Sequence, residues 1–119
     1  MKYKKCCAKY HKGVLAPDAL ILMKSRYSAY ATGNADYIIK TTHPDNNDYT
    51  EDRKNWKTSI LEFSKHTDFL GLKIIEFIDG ETEAYVTFTA LLSSGELKEK
   101  SRFLKEEDQW LYVNGEFKL

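Results

Sequence analysis

Near residue 68 the spacing of apolar residues changes from the 3.6-residue repeat of a helix to the two-residue repeat of a strand. All of the helical signal lies before that point and all of the strand signal after it. Such a chain cannot alternate strand and helix to build a parallel sheet, so the strands must pair with one another as neighbours and bury one face under the helices. The class is α+β.

Three helices are predicted. Ala16-Pro17-Asp18 is a helix start, with proline suited to the first turn and an acid that complements the helix dipole. Leu20, Met23, Tyr27 and Tyr30 then recur on one stripe until Thr32-Gly33 ends it. Asn34 caps a second, shorter helix with Tyr37, Ile38 and Ile39 on its apolar side, closed by His43-Pro44 because the residue before proline avoids the α region. After the turn residues Pro44 to Asp48, Thr50 caps a third helix whose stripe is Trp56, Ile60 and Phe63.

Four strands follow. Leu70, Leu72 and Ile74, then Ile75 and Phe77, form the first, stopped by Asp79-Gly80. Ala84, Val86, Phe88, Ala90 and Leu92 alternate with Tyr85, Thr87, Thr89 and Leu91 in the second, ending at Ser94-Gly95. A third runs from about Leu97 to Lys105 and a fourth from Trp110 to Asn114, with the turn Glu106-Glu107-Asp108 between them. Connections this short demand an antiparallel meander.

The 119 residues suffice for one self-supporting core, and 42% hydrophobic content lies far from the composition of disordered chains. Net charge is zero, which argues against a nucleic-acid-binding body, but the first 15 residues hold five lysines and no acid, leaving 13 bases against 18 acids. That basic tail, with Tyr3, Tyr10 and His11 interleaved, could hold RNA or an acidic protein surface; a solvated terminus is the commoner case. Pro17 and Asp18 break the apolar stretch from Val14 to Met23, so it is no secretory h-region, and no run reaches the length of a membrane span. Cys6 and Cys7 are adjacent and cannot staple distant elements, so a cytoplasmic protein is expected.

The segments Leu22 to Tyr30, Asp36-Tyr37, Thr42-His43-Pro44, Trp56, Glu99 to Phe103 and Trp110 to Gly115, in that order and spacing, resemble the YchJ family across nearly the whole chain. The resemblance implies a fold similar to nuclear transport factor 2: three N-terminal helices packed into a curved antiparallel sheet of four strands or slightly more, shaped as a cone. It carries no settled activity. Lys2 to Cys7 is similar to the end of the SEC-C zinc knuckle with which family members open, and the first Cys-x-Cys of that motif is missing. Residues 1–15 are therefore expected to be a remnant of that motif and 16–119 the NTF2-like domain. Cys6 and Cys7 alone fill half of a tetrahedral zinc shell, and His11 could add a third ligand, so zinc is expected only if the missing Cys-x-Cys is supplied.

A cone implies a cavity lined by inward strand positions and inner helix faces. The pocket candidates are Tyr27, Tyr30, Tyr37, Trp56, Ser101, Phe103 and Tyr112. Glu99, Ser101 and Phe103 share one strand face while Lys98, Lys100 and Arg102 share the other, so Glu99 points inward if Phe103 does. A carboxylate in an apolar cavity has its proton affinity raised by desolvation, which suits acid or base work. Asp36 and His43, at i and i+7, could face one side of a helix as a proton-transfer pair, although capping or surface roles are commoner for such residues. Ser25-Arg26 and Ser101-Arg102 repeat one dipeptide on helix and strand, and an arginine there could bridge helix and sheet to Glu99.

Two functions follow from these residues. One is a non-enzymatic binding or adaptor domain with an internal pocket for a small molecule or a protein partner, its outer sheet face open to homodimer formation. The other is a small hydrolase or isomerase using Asp36, His43 and Glu99, with tyrosine hydroxyls as donors to developing charge.

Overall fold

A computed structural model describes residues 8–117. The elements are α1 (Ala8–His11), α2 (Ala19–Thr32), α3 (Ala35–Lys40), α4 (Arg53–Lys65), β1 (Phe69–Ile78), β2 (Glu83–Leu92), β3 (Gly95–Glu106) and β4 (Gln109–Phe117). The strands form one antiparallel sheet in the order β1-β2-β3-β4, and helix gives way to strand at Phe69 as the change of period requires.

The helix ends follow local chemistry, with two shifts from expectation. Pro17 stands before α2, and Asp18 is the N-cap, its side chain accepting from the Ile21 amide. Gly33 closes α2 in the left-handed conformation, with φ of 73°. Asn34 caps α3 as its side chain suggests. For α4 the cap is Asp52, because Thr50 directs its hydroxyl to the Asp52 amide instead.

The second helix also ends earlier than the proline rule implies. The hydroxyls of Thr41 and Thr42 donate to the carbonyls of Tyr37 and Ile38 at 2.7 and 2.6 Å, satisfying the open end of α3 after Lys40. The chain is then free to run beside β4, where the His43 amide donates to the Tyr112 carbonyl and Thr42 bridges Tyr112 in parallel. That segment covers part of an edge strand that would otherwise present unpaired amides.

Sheet register follows the alternation: Ala84, Val86, Phe88 and Ala90 of β2 and Glu99, Ser101 and Phe103 of β3 are buried. Strand β1 breaks phase twice, between Phe69 and Gly71 and between Ile74 and Glu76, and β4 bulges opposite Arg102 and Phe103. These bulges bend the strands, and the first turns Leu70 outward to 67% exposure, although its spacing from Leu72 predicts a shared face. α2 lies at the centre of the helical layer, touching α1, α3, α4, β2 and β4. Hence it buries a second row, Ala19, Leu22, Ser25, Arg26 and Ala29, beside the expected stripe.

The first residues of the described chain are not simply solvated. Tyr10 is buried in the core, and His11 packs at 4.5 Å from the Tyr37 ring while its Nε2 donates to the Ser25 carbonyl. Cys6 and Cys7 lie outside the described residues. Among the described residues no helix is long and apolar enough to cross a membrane.

Candidate functional site

Between α2, the end of α4 and the inner face of the sheet lies a hollow of about 220 Å³. Half of its lining residues are aromatic: Tyr27 and Tyr30 from α2, Phe63 from α4, Phe69 from β1, Phe88 from β2, Phe103 from β3 and Tyr112 from β4. Tyr30, Phe63 and Phe69 meet edge-to-face or stacked at 5.6 to 6.5 Å. Phe63, 43% exposed, marks where this cluster reaches the surface.

One wall is polar. Glu99 Oε2 accepts from Ser101 Oγ at 2.5 Å and from Tyr112 Oη at 3.1 Å. Gly115 makes this arrangement sterically possible. It stands opposite Ser101 in the ladder, and a Cβ on it would overlap the Glu99 carboxylate. Burial, with the Glu99 charge close by, pushes the Tyr112 phenol well above the ordinary tyrosine range. The hydroxyl therefore stays protonated and serves as a donor.

Arg26 joins this wall to the helical layer without reaching Glu99. Its Nη1 donates to the Ile38 carbonyl at 3.1 Å and to the hydroxyls of Thr41 and Thr42 at 2.7 and 3.1 Å. Its guanidinium lies 4.7 Å from the Tyr112 ring centre. The helix-to-sheet bridge expected of this arginine thus runs through the face of Tyr112. The second Ser-Arg pair divides as strand alternation demands, with Arg102 on the outer face paired to Glu83.

Tyr27 has a structural task at the edge of the hollow. Its hydroxyl donates to the Gly71 carbonyl at 2.8 Å and accepts from the Gly71 amide at 3.1 Å, replacing a ladder partner at the first β1 bulge. Burial raises its pKa, partly offset by the backbone bond to Gly71.

Of the candidates, Tyr27, Tyr30, Glu99, Ser101, Phe103 and Tyr112 come together around the hollow. Tyr37 does not. It lies on the other side of α2, donating to Ser25 Oγ, whose own proton goes to the Leu22 carbonyl. Trp56 is buried against Tyr49 and, with Asp48 and Asp52, lines a more open surface hollow that adjoins the first through Tyr30 and Phe63.

Asp36 and His43 are brought neither to Glu99 nor to each other. The early end of α3 removes the shared helix face, because His43 stands three residues past Lys40, outside the helix. Asp36 is exposed and pairs with Lys57 at 3.2 Å. His43 is buried, accepts the Asp45 amide at Nδ1 and donates from Nε2 to Glu106, which ties the α3–α4 loop to the end of β3. Gly115 is the site residue that the sequence reading left without a role, although a glycine inside a strand pattern signals a close approach.

A helical layer over a bulged four-stranded meander, with a hollow between them, defines an NTF2-like α+β domain. The chain belongs to the YchJ family, matching the description "YchJ, middle NTF2-like domain" over residues 18–115. It is 36% identical to a UPF0225 protein of Streptomyces coelicolor, over 97% of this chain and 88% of that one. It is 35% identical to a UPF0225 protein of Serratia proteamaculans, over 97% and 77%. Among solved structures it is similar to a SEC-C motif containing protein from Rhodopseudomonas palustris, with a TM-score of 0.79 at 29% identity over 97% of this chain and 91% of that one. A SEC-C motif containing protein from Psychrobacter arcticus superposes with a TM-score of 0.80 at 27% identity, over 100% and 74%.

Proposed function

We propose that this chain is a non-enzymatic binding domain whose hollow takes a small ligand. The observation that carries the reading is the use of the polar groups: Ser101 and Tyr112 both direct their protons to one oxygen of Glu99, which builds a fixed polar anchor in an aromatic wall. At about 220 Å³ the space is below the roughly 300–1,000 Å³ of drug-sized sites, so a fragment-sized ligand fits. The hydrolase or isomerase reading loses its proton-transfer pair, since Asp36 is on the surface and His43 is committed to Glu106.

Zinc belongs to this reading only through residues the chain would have to borrow. Among the described residues no group of three or more His, Cys, Asp or Glu side chains is placed to hold a metal ion, and the Nε2 of His11 is committed to Ser25. Cys6 and Cys7 would supply two thiolates of four ligands.

The test is a fragment screen by ligand-observed NMR with thermal-shift follow-up, comparing the native chain with Ala90→Phe, which fills the hollow from β2. Fragments that bind the native chain and raise its melting temperature, and that the filled variant releases, support the reading, because a ligand of the folded state must stabilise it. Equal binding to both chains, or none to either, would end it.

A further inference from the structure

We infer that the hollow selects a small zwitterion, an amino acid with an apolar side chain, whose ammonium meets Glu99 and whose carboxylate meets Arg26. This deepens the binding reading and rests on it. Two charges of opposite sign line the hollow and are equally buried, Arg26 at 7% exposure and Glu99 at 9%. Neither has an ion-pair partner among the described residues. Neutral groups hold both instead: Arg26 Nη1 serves the Ile38 carbonyl and the hydroxyls of Thr41 and Thr42, and Glu99 Oε2 takes the hydroxyls of Ser101 and Tyr112. Hydrogen-bonding capacity of both signs is left over. Arg26 Nε and Nη2 and Glu99 Oε1 have no partner among the described residues, and Ser64 Oγ is the one fully enclosed side-chain polar atom there without one, so all three retain open space.

Tyr112 sets the spacing of the two charges. Its ring centre lies 4.7 Å from the Arg26 guanidinium and its hydroxyl 3.1 Å from Glu99 Oε2, so one phenol stands between them. A buried charge without an opposite partner is costly, and more so once a ligand displaces the water beside it. A lone cation matches Glu99 but is repelled by Arg26, and a lone anion suffers the reverse. A molecule with both charges on one carbon offsets both costs together. The sheet also orients it. Glu99 and Tyr112 stand on β3 and β4, whereas Phe69 begins β1 and meets Tyr30 and Phe63 where the ring cluster reaches the surface. The charged head therefore faces β3 and β4, and the apolar side chain lies against the rings on the β1 side.

The test titrates L-phenylalanine, 2-phenylethylamine and 3-phenylpropanoate at pH 7 into the native chain, Glu99→Gln, Arg26→Gln and Ala90→Phe, by calorimetry or chemical-shift perturbation. The second and third probes are the first without its carboxylate and without its ammonium. Phenylalanine is expected to bind the native chain roughly tenfold or more tightly than either, as one further charge-assisted hydrogen bond implies. Its margin over 3-phenylpropanoate should vanish in Glu99→Gln and its margin over 2-phenylethylamine in Arg26→Gln, and Ala90→Phe should release it. A single-charge probe that binds the native chain as tightly as phenylalanine overturns the inference, as does a margin that survives removal of its charge or equal binding to Ala90→Phe. Binding of none of the three overturns it too, and the fragment screen then judges the binding reading separately. Should either charge variant fail to fold, the two affinity ratios in the native chain decide.

Discussion

Strand β3 carries charge on both faces, and the two faces treat it oppositely. Outside, Arg102 meets Glu83 at 2.5 Å with both side chains more than a third exposed. Inside, Glu99 is held by two neutral hydroxyls over a glycine and touches no cation among the described residues. The outer pair has better Coulomb partners yet contributes little, since solvent screens it and both partners lose rotamer freedom. The inner group has the weaker partners and the larger consequences, because each hydrogen bond there replaces one to water that burial has removed. Proximity of opposite charges is a poor guide to which contacts hold this sheet together.

The largest test of that contrast is Gly115→Ala. The added Cβ must displace the Glu99 carboxylate from Ser101 and Tyr112, and the expected cost is about 1–3 kcal/mol in chemical denaturation. In a Glu99→Ala background the same change should cost far less, and a cycle without such coupling would break the claim that Gly115 exists to seat Glu99.

Tyr112→Phe comes next, with an expected loss of about 1 kcal/mol at pH 7 from the missing donor. Its signature lies in alkali. The folded-state pKa of Tyr112 is raised above its unfolded value, so its contribution is complete below about pH 10 and is lost as pH rises beyond it, when the unfolded chain releases a proton that the folded chain retains. Stability followed from pH 8 to 11 should therefore fall less steeply in Tyr112→Phe than in the native chain. Parallel curves would remove the phenol from the account.

The smallest effect belongs to Arg102→Ala. Its melting temperature should stay within replicate scatter of the native value in physiological salt, and a clear drop would reverse the comparison between the two faces.

Much of this is legible in the sequence. The break in apolar period places the first strand to within a residue, and alternation along β3 puts Glu99, Ser101 and Phe103 inside and Arg102 outside. The segment around Asp36 and His43 was misleading because the proline rule marks where a helix can no longer continue, whereas α3 stops where Thr41 and Thr42 satisfy its carbonyls. Trp56 and Tyr37 were aromatic in the right pattern for burial, but burial in this molecule has more than one destination.

The sequence alone sets the class, the strand order and which side of β2 and β3 faces the helices, because those depend on periodicity and on connections too short to allow alternatives. Only the tertiary structure decided that Arg26 serves the end of α3 rather than Glu99, that Tyr27 mends a bulge, and that Gly115 clears a place for a carboxylate. Those outcomes depend on which polar groups, far apart in the chain, compete for the same few partners once water is gone, and no local pattern encodes the result of that competition.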